Sequence, residues 1–330
     1  MTDTSLPRPA FDAELGAILA ALPPMQIVTD ENLPALRPQY ALGYASIAPA
    51  VQRLGIRHRE LLVQGPGGEL VMSVLSPAEQ PHDAPAIFSV HGGGQIMGDR
   101  FFMMEGIGQL DWVARHGVVV ITPEYRLAPE HPYPQPLEDC YAGLLWTVEH
   151  AGELGIDPAR LLVGGASSGG GLAAALALAA RDRQGPQLLG QLLICPKLDD
   201  RNDSVSARQY THASGFGGLC SQETNEYEWD AILGAGHKDR AVEPYASPAR
   251  AEDLRGLPPA FIDVGSAELY RDEAVAYASA LWKDGVQAEL HVWPGGFHGF
   301  DIFAPQAALS VAAREARLAW LRRTWGLPSA

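Results

Sequence analysis

Strands that alternate with helices over most of the chain predict an α/β protein, a mostly parallel, doubly wound sheet with helices on both faces. Three observations carry this. Apolar runs of strand length recur, and most are followed by a stretch with helical spacing. Two early strand-like segments are separated by Gly65-Pro66-Gly67-Gly68, which reads as a hairpin opening the sheet. Finally, the stretch from Leu161 to Leu172 reads as a buried strand, a sharp Gly/Ser turn and the start of a helix rich in Ala and Leu.

In chain order, residues 1–55 stand apart. Phe11, Leu15, Ile18, Leu19 and Leu22 recur at helical spacing until Pro23-Pro24 stops the helix, and a second helical patch covers 41–54. These helices have no strand partner of their own and must bury their apolar faces on something else. Segments 57–64 and 69–75 form the predicted hairpin. Strands are then expected at 86–90, 118–122, 161–163, 189–195, 260–264 and 289–292. Helices are expected at 105–115, 137–150, 172–181, 272–284 and 307–324. Residues 201–238 break the rhythm with Gly215, Gly217, Gly218 and mixed aromatics, and read as an insertion that folds with the N-terminal helices.

A chain of 330 residues with 47% hydrophobic composition can bury a large core. Its formal charge of −15, from 39 acidic against 24 basic residues, disfavours nucleic acid, whose phosphates require clustered Lys and Arg. The first residues have neither a cationic nor an apolar signal region, and no stretch approaches the roughly 20 apolar residues of a membrane helix. Cys140, Cys195 and Cys220 are widely spaced and lack metal-ligand patterns, so reduced thiols in a cytoplasmic protein are expected. Neither an H-E-x-x-H run nor a Cys/His cluster is present, so no metal and no cofactor is expected.

The chemistry concentrates in three stretches. Gly165-Ala166-Ser167-Ser168-Gly169 fits G-x-S-x-G, in which a serine is held on a strained turn above the sheet. Centring the pattern on Ser168 would put Ala166 where glycine is wanted, so Ser167 is the candidate nucleophile. His91-Gly92-Gly93-Gly94 follows a strand immediately and leaves backbone N–H groups free to point into a cleft, as an oxyanion hole requires. His298, in a Gly/aromatic loop after the last strand, can act as general base toward Ser167. Between them Glu268 is the first acid after the strand at 260–264, with Asp272 as the alternative. The order Ser167, Glu268, His298 is that of α/β-hydrolases.

From residue 57 onward the chain resembles the hormone-sensitive-lipase family of bacterial esterases, an α/β-hydrolase group. The resemblance rests on His91-Gly-Gly-Gly94, Tyr125-Arg-Leu-Ala-Pro-Glu130, Pro134 to Asp139, the serine turn and the His298 loop. It implies that the amides of Gly93, Gly94 and Ser168 form the oxyanion hole. It also implies a helical cap made of residues 1–55 and 201–238 over a catalytic domain spanning the rest. Two departures stand out: Ala166 and Ser168 replace the family's frequent Asp and Ala beside the serine, and Glu268 replaces its frequent Asp. Arg126 and Glu130 are expected to pair structurally near the sheet edge. The implied activity is hydrolysis of short- to medium-chain carboxylic esters through an acyl-enzyme. The substrate is a small-molecule ester, with no nucleic-acid or membrane partner, and a homodimer is compatible with this reading. An amidase or carbamate hydrolase with the same triad is the alternative. A non-catalytic receptor is a further one, since plant gibberellin receptors resemble this family, but those lack the histidine that His298 supplies here.

Overall fold

The computed structural model describes residues 6–23, 26–79, 81–212 and 220–327. Its eight strands are β1 (Arg57–Gly65), β2 (Gly68–Ser76), β3 (Ala84–Val90), β4 (Val119–Pro123), β5 (Ile156–Ala166), β6 (Gly190–Ile194), β7 (Ala260–Gly265) and β8 (Ala288–Trp293). They form one sheet in the order β1-β2-β4-β3-β5-β6-β7-β8. The β1–β2 hairpin is antiparallel and β2 runs antiparallel to β4, while every pairing from β4 to β8 is parallel.

The sheet explains the apolar runs. Strand β5 is paired on both sides, by β3 and β6, and helices cover both of its faces, so Leu161, Leu162 and Val163 have no solvent side and no polar alternation. The helix that follows, Ser168–Asp182, is buried from Ser168 to Ala180. Its Ala-rich sequence lets it lie close against the sheet. It starts four residues earlier than its Ala/Leu run predicts, because close packing holds the poor helix formers Gly169, Gly170 and Gly171 in helical form. The helix expected over 105–115 is two, Met104–Ile107 and Gln109–His116, broken at Gly108 with φ +92°. The patch at 41–54 resolves into a 3-10 turn, Tyr44–Ser46, and the helix Ala48–Arg53, preceded by Leu33–Tyr40.

The N-terminal segment buries its apolar faces in three places. Leu15 and Leu19 join a cluster with Tyr210, Tyr270, Phe297 and Phe300. Val28 and Leu33 pack with Met97, Trp229 and Ile232, the last two from the helix Gln222–Leu233. Ile47, Ala50 and Val51 belong instead to the main core around the sheet. Of the insertion at 201–238, Gly215, Gly217 and Gly218 lie outside the described residues.

One expected contact is corrected. Arg126 does not pair with Glu130: its guanidinium grips Asp139 at 2.7 and 2.8 Å and Gln135 at 2.8 Å. Glu130 pairs with Arg37, 93 residues away. Asp139 sits on the buried side of the helix Gln135–Glu149, so the desolvated carboxylate draws the nearby guanidinium, and exposed Glu130 is left to the N-terminal segment.

Candidate active site

Strand β5 ends at Ala166 and the helix begins at Ser168, so Ser167 alone makes the turn, at φ +57° and ψ −127°. For a non-glycine residue this is a strained position, and it is held in place by the surrounding backbone. The Ser167 amide donates to Ile194 O at 2.8 Å, and its carbonyl accepts from the Gly171 and Lys197 amides at 3.1 and 3.0 Å. The flanking glycines are required by close approach: a Cβ on Gly169 would lie 2.2 Å from Val90 O, and one on Gly165 would lie 2.4 Å from Gly169 O.

The turn delivers the Ser167 Oγ to 3.1 Å from His298 Nε2. On the other side of the ring, Nδ1 lies 2.6 Å from Glu268 Oε2, and Glu268 Oε1 accepts from the Gly265 amide at 3.1 Å. All three side chains are buried. The loops after β5, β7 and β8 supply them, at the carboxyl ends of parallel strands, where this sheet architecture opens its crevice. Asp272 is elsewhere. It accepts from the Ser206 amide and from Arg271 Nε, both at 2.7 Å, and so ties residue 206 to the start of the helix Arg271–Lys283.

Burial pushes the His298 imidazole toward its neutral form, but the Cys195 sulfur and the Glu268 carboxylate beside it more than reverse this. Its proton affinity stands well above the ordinary histidine value. Burial raises the Cys195 pKa and keeps it a neutral thiol, so Glu268 is the charge that matters at neutral pH. The arrangement suits proton abstraction from Ser167 with the resulting imidazolium stabilised by Glu268.

Gly93 and Gly94 adopt φ +106° and +68°, and among the described residues neither amide donates to another backbone group. Ser168 opens the helix, so its N–H is one of the helix's first, unpaired donors. Its own side chain faces away from that role: Oγ accepts from the Gln95 amide at 3.1 Å. The strand-end carbonyl of His91 takes a 2.9 Å hydrogen bond from the Tyr125 hydroxyl, and the two rings stack with centroids 4.1 Å apart. Tyr125 thus braces the base of the glycine loop.

Ser167, His298, Gly93 and Gly94 line one cavity. Its other walls are largely apolar, with Phe102, Met103 and Phe303 joined by Val28 and Tyr40 from the N-terminal segment and by Cys220, Thr224 and Glu228.

Three features were not read from the sequence. Cys195 lies beside the histidine, and its sulfur, a Glu268 oxygen and a His298 nitrogen lie within 4.8 Å of one another. His298 and Glu268 already bond each other there. Arg317, fully buried, donates to Asp301 at 2.9 Å and to Asp263 at 2.8 Å, fastening the segment just after His298 to β7. Asp301 stands only three residues beyond His298, which was a usable signal; the contact with Arg317 was not. Lys197, after β6, pairs at 2.7 Å with Glu228 in the cavity wall.

The family described as having the alpha/beta hydrolase fold matches residues 87–302. Among curated relatives, esterase LipI of Mycobacterium tuberculosis is 31% identical over 98% of this chain and 98% of its own. Carboxylesterase NlhH of the same organism is 34% identical over 77% of this chain and 78% of its own. Among solved structures, a bacterial heroin esterase superposes with a TM-score of 0.85 at 36% identity, covering 97% of this chain and 99% of its own. Esterase LipW of Mycobacterium marinum also gives 0.85, at 30% identity over 96% and 98%. With the fold, the turn and the matched span in agreement, the chain belongs to the α/β-hydrolase family, in its hormone-sensitive-lipase-like branch.

Proposed function

We propose that this protein is a carboxylesterase that hydrolyses short- to medium-chain esters through an acyl-enzyme. His298 removes the Ser167 proton as Oγ attacks the ester carbonyl. The amides of Gly93, Gly94 and Ser168 receive the oxyanion, and Glu268 holds the ring so that Nε2 faces the serine. His298 then returns the proton to the departing alcohol. Water, activated by the same nitrogen, releases the acid and restores Ser167. The observation that carries this reading is the unbroken chain of hydrogen bonds from Ser167 through His298 to Glu268, at 3.1 and 2.6 Å. The four relatives named above, called esterases or a carboxylesterase, agree with it.

The N-terminal segment and residues 201–238 act in this reading as a cap that gates the cavity and limits the acyl group. Val28, Tyr40, Thr224 and Glu228 in the cavity wall support that role. The three cysteines, buried and unpaired, favour a reducing, cytoplasmic setting. Among the described residues no helix is long and apolar enough to cross a membrane.

A screen of p-nitrophenyl esters of increasing chain length, with anilides and carbamates in parallel, tests the assignment. Turnover of the shorter esters is expected, with anilides and carbamates far slower and with no loss after prolonged EDTA treatment. Anilide turnover matching that of the esters would shift the assignment to an amidase. Activity lost to EDTA and restored by zinc would contradict the serine mechanism.

A further inference from the structure

The charged group in the cavity wall, Glu228, is only half used by its partner. Its Oε2 accepts a hydrogen bond from Lys197 Nζ at 2.7 Å, and among the described residues Oε1 has no hydrogen-bond partner. Oε1 lies against Gly94, so closely that a Cβ there would come within 2.2 Å of it. It therefore sits beside an amide assigned above to the oxyanion, in a cavity whose remaining walls are mostly apolar. Lys197 is itself fully buried and stacks its ammonium over the Trp229 ring at 4.4 Å, so the pair is locked in one arrangement. A buried ion pair contributes little net stability, since desolvation offsets the attraction. A carboxylate oxygen in a mostly apolar pocket, in contrast, fixes how a ligand lies.

We propose that Glu228 Oε1 is a specificity subsite that accepts a hydrogen bond from a hydroxyl or ammonium group carried by the ester close to its scissile carbonyl. This rests on the esterase reading above. Lys197 keeps the carboxylate from opposing the oxyanion: with the pair formed, the local charge is balanced and Oε1 remains an acceptor. The donor group can belong to the acyl part or to the alcohol part, and both would present the same chemistry to Oε1.

Two isosteric pairs of esters test it. On the acyl side, methyl α-hydroxyisobutyrate is compared with methyl pivalate; on the alcohol side, the butyrate monoester of ethylene glycol is compared with propyl butyrate. Each kcat/KM is divided by the hydroxide-catalysed rate constant of the same ester, which removes intrinsic reactivity. One pair should then favour the hydroxyl-bearing member by roughly ten- to hundredfold, the range of a hydrogen bond to a charged group, and which pair does so locates the donor. In Lys197→Met/Glu228→Leu, which replaces both charges by apolar groups and strands neither, that preference should collapse to within about threefold. Equal treatment of both members of both pairs by the wild type overturns the subsite and leaves the esterase intact, as expected if the pair merely fastens the helix Gln222–Leu233. A preference that survives in the double variant also overturns it. No turnover of any of the four esters, with p-nitrophenyl esters inert as well, removes the esterase reading and the subsite with it.

Discussion

The loops at the carboxyl ends of β5, β7 and β8 and the segments that face them across the cavity obey different rules. On the sheet side, each residue of the proposed triad stands within a few positions of a strand end, and local chemistry fixes it. Ser167 must be flanked by glycines because Val90 O and Gly169 O leave no room for a Cβ. Glu268 and His298 occupy the loops directly after β7 and β8. On the facing side, the cavity wall is assembled from residues far apart in the chain. Val28 donates to Thr224 Oγ1 across 196 residues, and Lys197 reaches Glu228 across 31. The residues placed for chemistry are thus set locally, whereas the wall that faces them is set by long-range packing.

The largest effect is expected at the serine. Ser167→Ala should lower kcat by on the order of 10⁴- to 10⁶-fold while the thermal midpoint stays put, since the hydroxyl supplies chemistry and the backbone supplies the turn. Steady-state kinetics with calorimetry checks both halves. An active Ser167→Ala protein would erase the distinction drawn between the two regions.

Next come the acids. Glu268→Gln keeps the size but removes the charge that stabilises the imidazolium, so kcat should fall by roughly 10³- to 10⁴-fold at neutral pH. Asp272→Asn should leave kcat within about threefold and lower stability by about 1 kcal/mol, because Asp272 serves Ser206 and Arg271 rather than His298. The reverse pattern would move the acid to Asp272.

In the glycine loop, Gly94→Ala forces a Cβ onto the Glu228 carboxylate at a φ of +68°. A loss of about 10²- to 10³-fold in kcat, the size of a missing oxyanion donor, is expected. Equal activity of Gly94→Ala and wild type would show that this amide does not face the reaction.

The pH profile gives a smaller and sharper test. As the proposed base, His298 works only when neutral, and its folded-state affinity for the proton is raised above the ordinary histidine value of about 6.5. Activity should therefore fall as pH drops through a limb lying on the alkaline side of 6.5. In Glu268→Gln the residual activity should have its limb at lower pH, because the charge that favours the imidazolium is gone. A wild-type limb below 6.5 would mean that burial, not Glu268, dominates the ring.

Much of the sheet was legible because parallel strands read as apolar runs, and the turn of the proposed nucleophile stood out because G-x-S-x-G is a steric requirement as much as a motif. Helix boundaries were less so. The glycines from Gly169 to Gly171 are poor helix formers that tertiary packing holds in the helix, and Gly108 divides a segment whose apolar spacing looks continuous. Ion pairs were the least legible. Arg126 and Glu130 are neighbours in sequence, yet each found a better partner elsewhere, Asp139 and Arg37. Lys197, in the loop after β6, and Glu228, in the helix Gln222–Leu233, stand 31 residues apart, and nothing in either local sequence announces the other.

Ser167, and not its neighbour Ser168, is the residue proposed to form the covalent intermediate. Treatment with an organophosphonate ester followed by peptide mass mapping tests it directly, because the trapped adduct marks the attacking oxygen. One phosphonyl group is expected on Ser167, none in Ser167→Ala, and a retained adduct in Ser168→Ala, whose lost Oγ deprives the Gln95 amide of a partner. A phosphonyl group on Ser168, or labelling that persists in Ser167→Ala, would contradict it.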